Sequence, residues 1–421
     1  MMWHCWTDVQ IARGGIVSRR SFLRGVVTAG GALGLVNLLA AASEALRRKR
    51  RSCILLWMGG GPSQFESFDP KPASETGGGT KTIATTVPGV QIAEYWPRMT
   101  QWMNRVTLIR SMVAREANHQ RATYHMHTGH LPAGGVVHPS MGSIVVSRAA
   151  PEHHELPQFV SIGGATHGAG LFGSDYDPFV MSDPSRPPAN LKPTVAERRW
   201  HRRLELLRRL RRRRGSLHDD IAAEDHALVQ ERAVRLVETP HVRAFDVAQE
   251  PEATRRRYGA TRFGLGCLLA RRLVEAGVTF VEVRMSGWDT HRDNFTITPK
   301  LAAITDPAFA ALLDDLHRRG LWDQTLVIWI GEFGRTPKIN PKAGRDHWPQ
   351  AFSAVLAGGG APEGAVIGRT SPDGSEVVDH PVTIPDLFAT VCRVFDIDPN
   401  EEYHSPLGQP IKLVDGGKPI F

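Results

Sequence analysis

The chain has 421 residues, 41% of them hydrophobic, enough to bury the core of one large domain or of two to three average ones. It carries +8 at pH 7 with histidine neutral, and its pI is about 9.6. A basic balance directs attention to nucleic acid or anionic substrates, but no zinc-finger, RNA-recognition or homeodomain pattern is present, so sequence-specific nucleic-acid binding by those means is excluded. The four cysteines, Cys5, Cys53, Cys267 and Cys392, form no CxxC pair, which indicates neither a thiolate metal site nor a redox motif.

In chain order, the first signal is "SRRSFLRG" (Ser18–Gly25), which resembles a twin-arginine export signal through Arg19, Arg20, Phe22 and Leu23. The Gly/Ala-rich apolar run Val26–Ala42 follows, with small residues around Ala40–Ala42 that suit a signal peptidase. Residues 1–45 are therefore set apart as a signal. The expected partner is the twin-arginine translocase, and the expected location the periplasm or cell envelope.

From residue 52 onward, short apolar runs alternate with helical patterns. Strands are expected at Ser52–Gly61, Arg105–Met112, Thr279–Gly287, Thr325–Gly331 and Phe352–Gly360. The middle, about 194–250, reads as a charged helical insertion: Thr194-x-x-Glu197 is a capping-box pattern, and Trp200, Leu204 and Leu207 share one face. Its arginines read as a solvated face, with a polyanion-binding surface as the alternative. A helix at Ala260–Gly277 ends on its C-terminal glycine, and one at Asp306–Gly320 opens on Asp306 as N-cap with Pro307 in the first turn. Gly358–Val378 is turn-rich and suggests a hairpin, and Thr383–Ile397 is the last helix. Near-continuous apolar strands separated by helices give a doubly wound α/β fold, a mainly parallel sheet covered on both faces, over 52–421.

Ligands of such sheets bind beyond the carboxyl ends of the strands. The polar residues there are Ser63, Glu66 and Asp69 after the first strand, and Asn118 and His119 after the second. Asp289, His291, Asp293 and Asn294 follow the third, and Glu332, Arg335, Asp346 and His347 the fourth. Carboxylates and imidazoles converging at one edge suit a divalent metal ion, and Asp289-x-His291 can place two ligands on one ion.

The stretches "LLWMGGGPSQFESFDPKP", "NHQRATYHMHTGHLP", "GWDTHRDNF", "GEFGRTP" and "GRDHWP" together resemble an exported, sulfatase-related family, domain of unknown function 1501, itself placed in the alkaline phosphatase superfamily. The resemblance runs from about Ile54 to Leu413. It implies a divalent metal (zinc, manganese, calcium or magnesium) and a hydroxyl or modified-Cys nucleophile acting on sulfate or phosphate esters. "GWDTH" matches the metal loop, giving Asp289 and His291. "IGEFG" falls where sulfatases carry Ser-Asp-His-Gly, putting Glu332 in the Asp place and Phe333 in the His place. "RDHW" gives His347, with Asp346 beside it and Asp69 as a further candidate ligand.

The departures are specific. Nine residues before Thr128-Gly129, where the nucleophile belongs, stands His119, and Thr123 stands where an arginine belongs. Gly59–Gly61 occupy the stretch where an aspartate follows the first strand, leaving Glu66 or Asp69 as substitutes. His119 and Arg335 are then the catalytic candidates, and Asn118 and Arg345 the substrate-binding ones, with Arg335 or Arg345 holding the anion. Two functions follow: an envelope hydrolase of anionic small molecules or sulfated or phosphorylated polysaccharide, or a non-catalytic metal-binding protein on the same fold.

Overall fold

In a computed structural model of the full chain, the described residues are 9–11, 15–17, 51–151, 154–189, 191, 194–215 and 221–421. The chain divides into Met1–Arg51 and Ser52–Phe421. In the first unit Val9–Ile11 pairs antiparallel with Gly15–Val17. The twin-arginine stretch and the apolar run after it lie outside the described residues.

The second unit is built on a nine-stranded sheet. Its strands are β1 (Ser52–Gly59), β2 (Val106–Val113), β3 (Phe159–Ile162), β4 (Phe179–Met181), β5 (Phe280–Ser286), β6 (Thr325–Ile330), β9 (Phe352–Ala357), and the two-residue β10 (Val366–Ile367) and β11 (Val382–Thr383). The numbers β7 and β8 belong to a hairpin outside the sheet, Gly334–Ile339 and Arg345–Trp348. Across the sheet the order is β10, β2, β9, β6, β1, β5, β3, β4, with β11 also on β2. β9 alone runs antiparallel to its neighbours, so β1, β2, β5 and β6 all point their carboxyl ends to one edge.

The central strands are apolar on both faces because helices cover both. Ile54, Leu56 and Met58 of β1 join one core, with Leu268 and Leu273 of α5 (Arg262–Glu275) and Phe309, Leu312 and Leu316 of α6 (Asn294–Arg318). Cys53, Leu55 and Trp57 face the other, with Met126 of α1 (His119–Thr128), Ile144 and Val145 of α2 (Met141–Ala149), and Leu387 and Phe388 of α7 (Ile384–Val394). The doubly wound, mainly parallel fold expected from the sequence is what forms.

Two local expectations need correction. Asp306 does not cap its own helix, since α6 runs through it from Asn294 and carries Pro299 and Pro307 inside. Its carboxylate instead accepts the backbone N–H groups of Arg98 (2.9 Å) and Met99 (2.8 Å), capping the 3-10 turn Met99–Arg105 from across the molecule. And β3 and β4, too short to stand out in the sequence, extend the sheet beyond β5.

The charged middle forms α3 (Glu197–Gly215) and α4 (Ile221–Glu238). Leu204 is buried, and Trp200 and Leu207 are half-buried on the same side. The turn-rich stretch pairs Arg369–Thr370 with Val377–Asp379.

Candidate metal centre

The strand-end residues meet because each arrives on a differently anchored element. Trp288, fully buried and stacked on Trp96 at 6.3 Å, fixes the loop after β5 that carries Asp289 and His291. α1, capped by Asn118, whose side chain accepts the Arg121 N–H (3.2 Å), starts at His119. The β7–β8 hairpin turns back so that His347 lies opposite Arg335. It docks on the Asp289 loop through Arg345 N–H to Thr290 O (3.0 Å) and Asp293 N–H to Lys342 O (3.0 Å).

Glycines permit the close approach. Gly60 has φ +114°, and a Cβ there would lie 2.4 Å from Asp289 N. Its N–H donates to Glu332 Oε1 at 2.9 Å. At Gly344 a Cβ would strike the His291 carbonyl at 2.1 Å.

Three imidazoles converge on the Asp289 carboxylate, and each is tied at its far nitrogen. His119 Nδ1 meets buried Glu332 Oε1 at 2.7 Å, His291 Nδ1 meets Asp346 Oδ1 at 2.7 Å, and His347 Nδ1 donates to Ala117 O at 2.7 Å. Acceptors at Nδ1 place the proton there and leave Nε2 with its lone pair. The three Nε2 atoms then face inward: His291 Nε2 is 3.1 Å and His347 Nε2 3.2 Å from Asp289 Oδ1, and His119 Nε2 is 3.3 Å from Asp289 Oδ2. His291 Nε2 and His347 Nε2 are 2.9 Å apart. His119 Nε2 is buried and makes no hydrogen bond, and neither does Glu332 Oε2.

A four-coordinate ion with bonds of about 2.0–2.1 Å holds its ligands about 3.3 Å apart, so these separations fit one. His119, Asp289 and His347 form a group whose ligand atoms all lie within 4.8 Å of one another. His291 adds a fourth ligand atom, the third nitrogen, on the Asp289 and His347 side. Among the expected candidates, Glu332 and Asp346 stand behind histidines and do not face the inward Nε2 atoms directly.

Arg335 donates to Asp289 Oδ1 (2.7 Å). Burial pulls the Asp289 carboxyl upward, and Arg335, His347 and His119 overcome this to hold it at about 2. The Glu332 hydrogen bond raises the His119 ring against its burial, and burial lowers that of His347. Phe333 is fully buried; its ring packs on His347 (4.4 Å) and His119 (5.0 Å) as an apolar wall.

The other candidates are committed elsewhere. Arg335, besides Asp289, donates to the carbonyls of Gly60, Gly61 (2.9 Å) and Arg345 (3.1 Å), and is fully buried. Arg345, also fully buried, spends its donors on Glu66 (2.8 and 3.2 Å), Thr336 O, Pro337 O and Thr76 O, between the rings of Phe65 and Phe295. Neither arginine has a free pair of donors for a substrate anion, and that expectation is withdrawn. Asp69 is buried against Lys71 (3.0 Å), Arg110 (3.5 Å) and Thr370, apart from the histidines.

Sequence reading missed a second acidic cluster. Glu282, in mid-β5, is buried with His127 Nε2 (3.2 Å), Arg284 Nη1 (2.5 Å) and Thr166 Oγ1 (2.7 Å), while His127 Nδ1 donates to Thr123 O (2.8 Å). The available signal was two charges, Glu282 and Arg284, spaced by two in a strand otherwise apolar on both faces.

Residues 50–421 match the family described as Protein of unknown function (DUF1501). The chain belongs to that family. None of the curated proteins matches it. Solved structures similar to it include a sulfatase from Pseudoalteromonas sp. at 13% identity, covering 92% of this chain and 74% of that one with a TM-score of 0.41. Ps i-CgsB, solved in complex with k-i-k-neocarrahexaose, has 12% identity, 83% and 72% coverage and a TM-score of 0.41. A protein in the alkaline phosphatase superfamily from Vibrio parahaemolyticus has 11% identity, 83% and 67% coverage and a TM-score of 0.39. Scores at that level transfer neither substrate nor residue role to this chain.

Proposed function

We propose that this chain is an exported, metal-dependent hydrolase of sulfate or phosphate esters, with Asp289, His119, His291 and His347 holding one divalent ion. The observation that carries the metal is the convergence of three Nε2 atoms on one carboxylate, each ring held at Nδ1 by its own acceptor. Two bare nitrogens 2.9 Å apart beside a carboxylate call for a cation. This outer ring of acceptors is the arrangement that orients histidine ligands. Three nitrogens and one carboxylate favour zinc or a similar transition ion over calcium or magnesium, which prefer oxygen.

A bound divalent ion polarises an ester oxygen and acidifies water. The chain's own residues do the rest. Glu332 and Asp346 fix the histidine orientations, Arg335 fixes Asp289, and Phe333 with the Gly60–Gly61 loop walls one side. Asp289 is itself 44% exposed, so an anionic small molecule or the end of a sulfated or phosphorylated polysaccharide has access. Export through the twin-arginine translocase into the periplasm or envelope rests on Arg19 and Arg20 and the run after them.

A second reading is a non-catalytic metal-binding envelope protein. It is favoured by the cysteines: Cys53, Cys267 and Cys392 are buried, burial raises all three thiols (Cys392 to about 12), and none is poised as a nucleophile. Assaying aryl sulfates and aryl phosphates with and without added zinc or manganese separates the two. Metal-dependent hydrolysis abolished by Asp289→Asn supports the hydrolase; metal bound at one equivalent with no turnover on either ester class supports the binding protein.

A further inference from the structure

α3 holds ten arginines and two glutamates between Glu197 and Gly215, a surplus of eight. The remainder of residues 52–421 carries seven more acidic than basic residues, so this one helix is a positive strip on an otherwise acidic domain. Arg198, Arg199, Arg202 and Arg203 are exposed and form no ion pair among the described residues, whereas Arg209 is tied to Glu205 at 2.5 Å. Leu206 and Leu210, one turn apart, stand among these arginines and are 57% and 54% exposed. At about 100° per residue Leu206 lies about 130° round the helix from the middle of the Trp200, Leu204 and Leu207 stripe and Leu210 about 90°, so both fall beside Arg199 and Arg203 on the exposed flank.

A solvated structural helix has no use for that pairing. Arginine forks match phosphate oxygens, and leucine side chains standing between them gain by entering an acyl layer. A soluble sulfated or phosphorylated polymer would engage the arginines but offer nothing to the leucines. Among the described residues no helix is long and apolar enough to cross a membrane. The acidic remainder of the domain is repelled by the same surface, which selects the orientation with α3 inward. We propose that the exposed face of α3 docks this protein on an anionic phospholipid surface, with Arg198, Arg199, Arg202 and Arg203 on the headgroup phosphates and Leu206 and Leu210 in the interface.

The test is co-sedimentation of the full chain with vesicles of phosphatidylglycerol and phosphatidylcholine, beside vesicles of phosphatidylcholine alone and a heparin column. The N-terminal basic and apolar stretch stays in every variant, so differences report α3. The triple change Arg198→Glu, Arg202→Glu, Arg203→Glu is expected to weaken binding to anionic vesicles at least tenfold, with the circular dichroism spectrum and melting temperature unchanged. Leu206→Ser with Leu210→Ser is expected to weaken vesicle binding several-fold while leaving heparin retention as it was. Vesicle binding that the triple change does not alter overturns the proposal. Binding that the arginines support but the serine pair leaves intact on both vesicles and heparin also overturns it, in favour of a soluble polyanion.

Discussion

His119 and His127 sit eight residues apart on one helix, about 12 Å along its axis, and each meets a buried glutamate. The resemblance ends there. Around His127 the account is closed: both ring nitrogens face oxygen acceptors, and Glu282 has partners on both oxygens. Burial alone would raise the Glu282 carboxyl, and His127, Arg284 and Thr166 bring it down to about 2. Around His119 it is open: Nε2 and Glu332 Oε2 have no hydrogen bond, and the neighbouring nitrogens crowd one carboxylate. Buried polar groups are ordinarily satisfied, so two unpaired ones beside three converging imidazoles agree with the proposed ion site. The first cluster is closed on itself, and the second is where the proposed ion would be held.

The largest expected effect belongs to the closed cluster. Glu282→Gln leaves His127 and Arg284 without their buried counter-charge and should cost about 3–5 kcal/mol in urea unfolding, because breaking one side of a buried pair leaves the other uncompensated. Metal content should be unchanged. Gly60→Ala should cost roughly 1–3 kcal/mol from its left-handed φ and the contact with Asp289, and should lower metal affinity as well. Glu332→Gln removes the charge behind His119 and should weaken metal binding by about 10- to 100-fold while moving the unfolding midpoint of the metal-free protein little. An equal loss of metal from Glu282→Gln and Glu332→Gln would erase the distinction.

The smallest effect is a pH dependence. Burial holds His125, His138 and His167 down at about 4 from the usual 6.5. Between pH 6.5 and 4 the unfolded chain takes up protons that the folded one refuses, so stability is full above pH 6.5 and declines as pH falls through that window. Asp306, raised to about 6 by burial, works in the opposite sense and offsets part of the loss. Urea midpoints measured from pH 7.5 to 4 should fall steadily, and a flat profile would show these rings to be solvated.

The strands around the centre were legible because residues buried on both faces leave uninterrupted apolar runs, and the strand-end rule then collected Asp289, His291, Glu332 and His347 without any contact information. Their division into inward-facing and supporting groups was not legible, since Glu332 and Asp289 look alike until the Nδ1 contacts of the histidines are seen. Arg335 and Arg345 misled for a related reason. An arginine after a strand looks free in the sequence, whereas here the hairpin folds each one inward onto backbone carbonyls. Glu282 was hidden inside a strand, with its partners His127 and Thr166 at 155 and 116 residues' distance.

The central claim is tested most directly by metal analysis of the purified full chain, read together with its melting temperature before and after chelation. About one equivalent of a transition ion is expected in the wild type and in Glu282→Gln. The ion should be lost from Asp289→Asn and His347→Ala, and the melting temperature should drop on chelation only where metal was present. A metal-free wild type that gains no stability from added zinc or manganese would contradict the account.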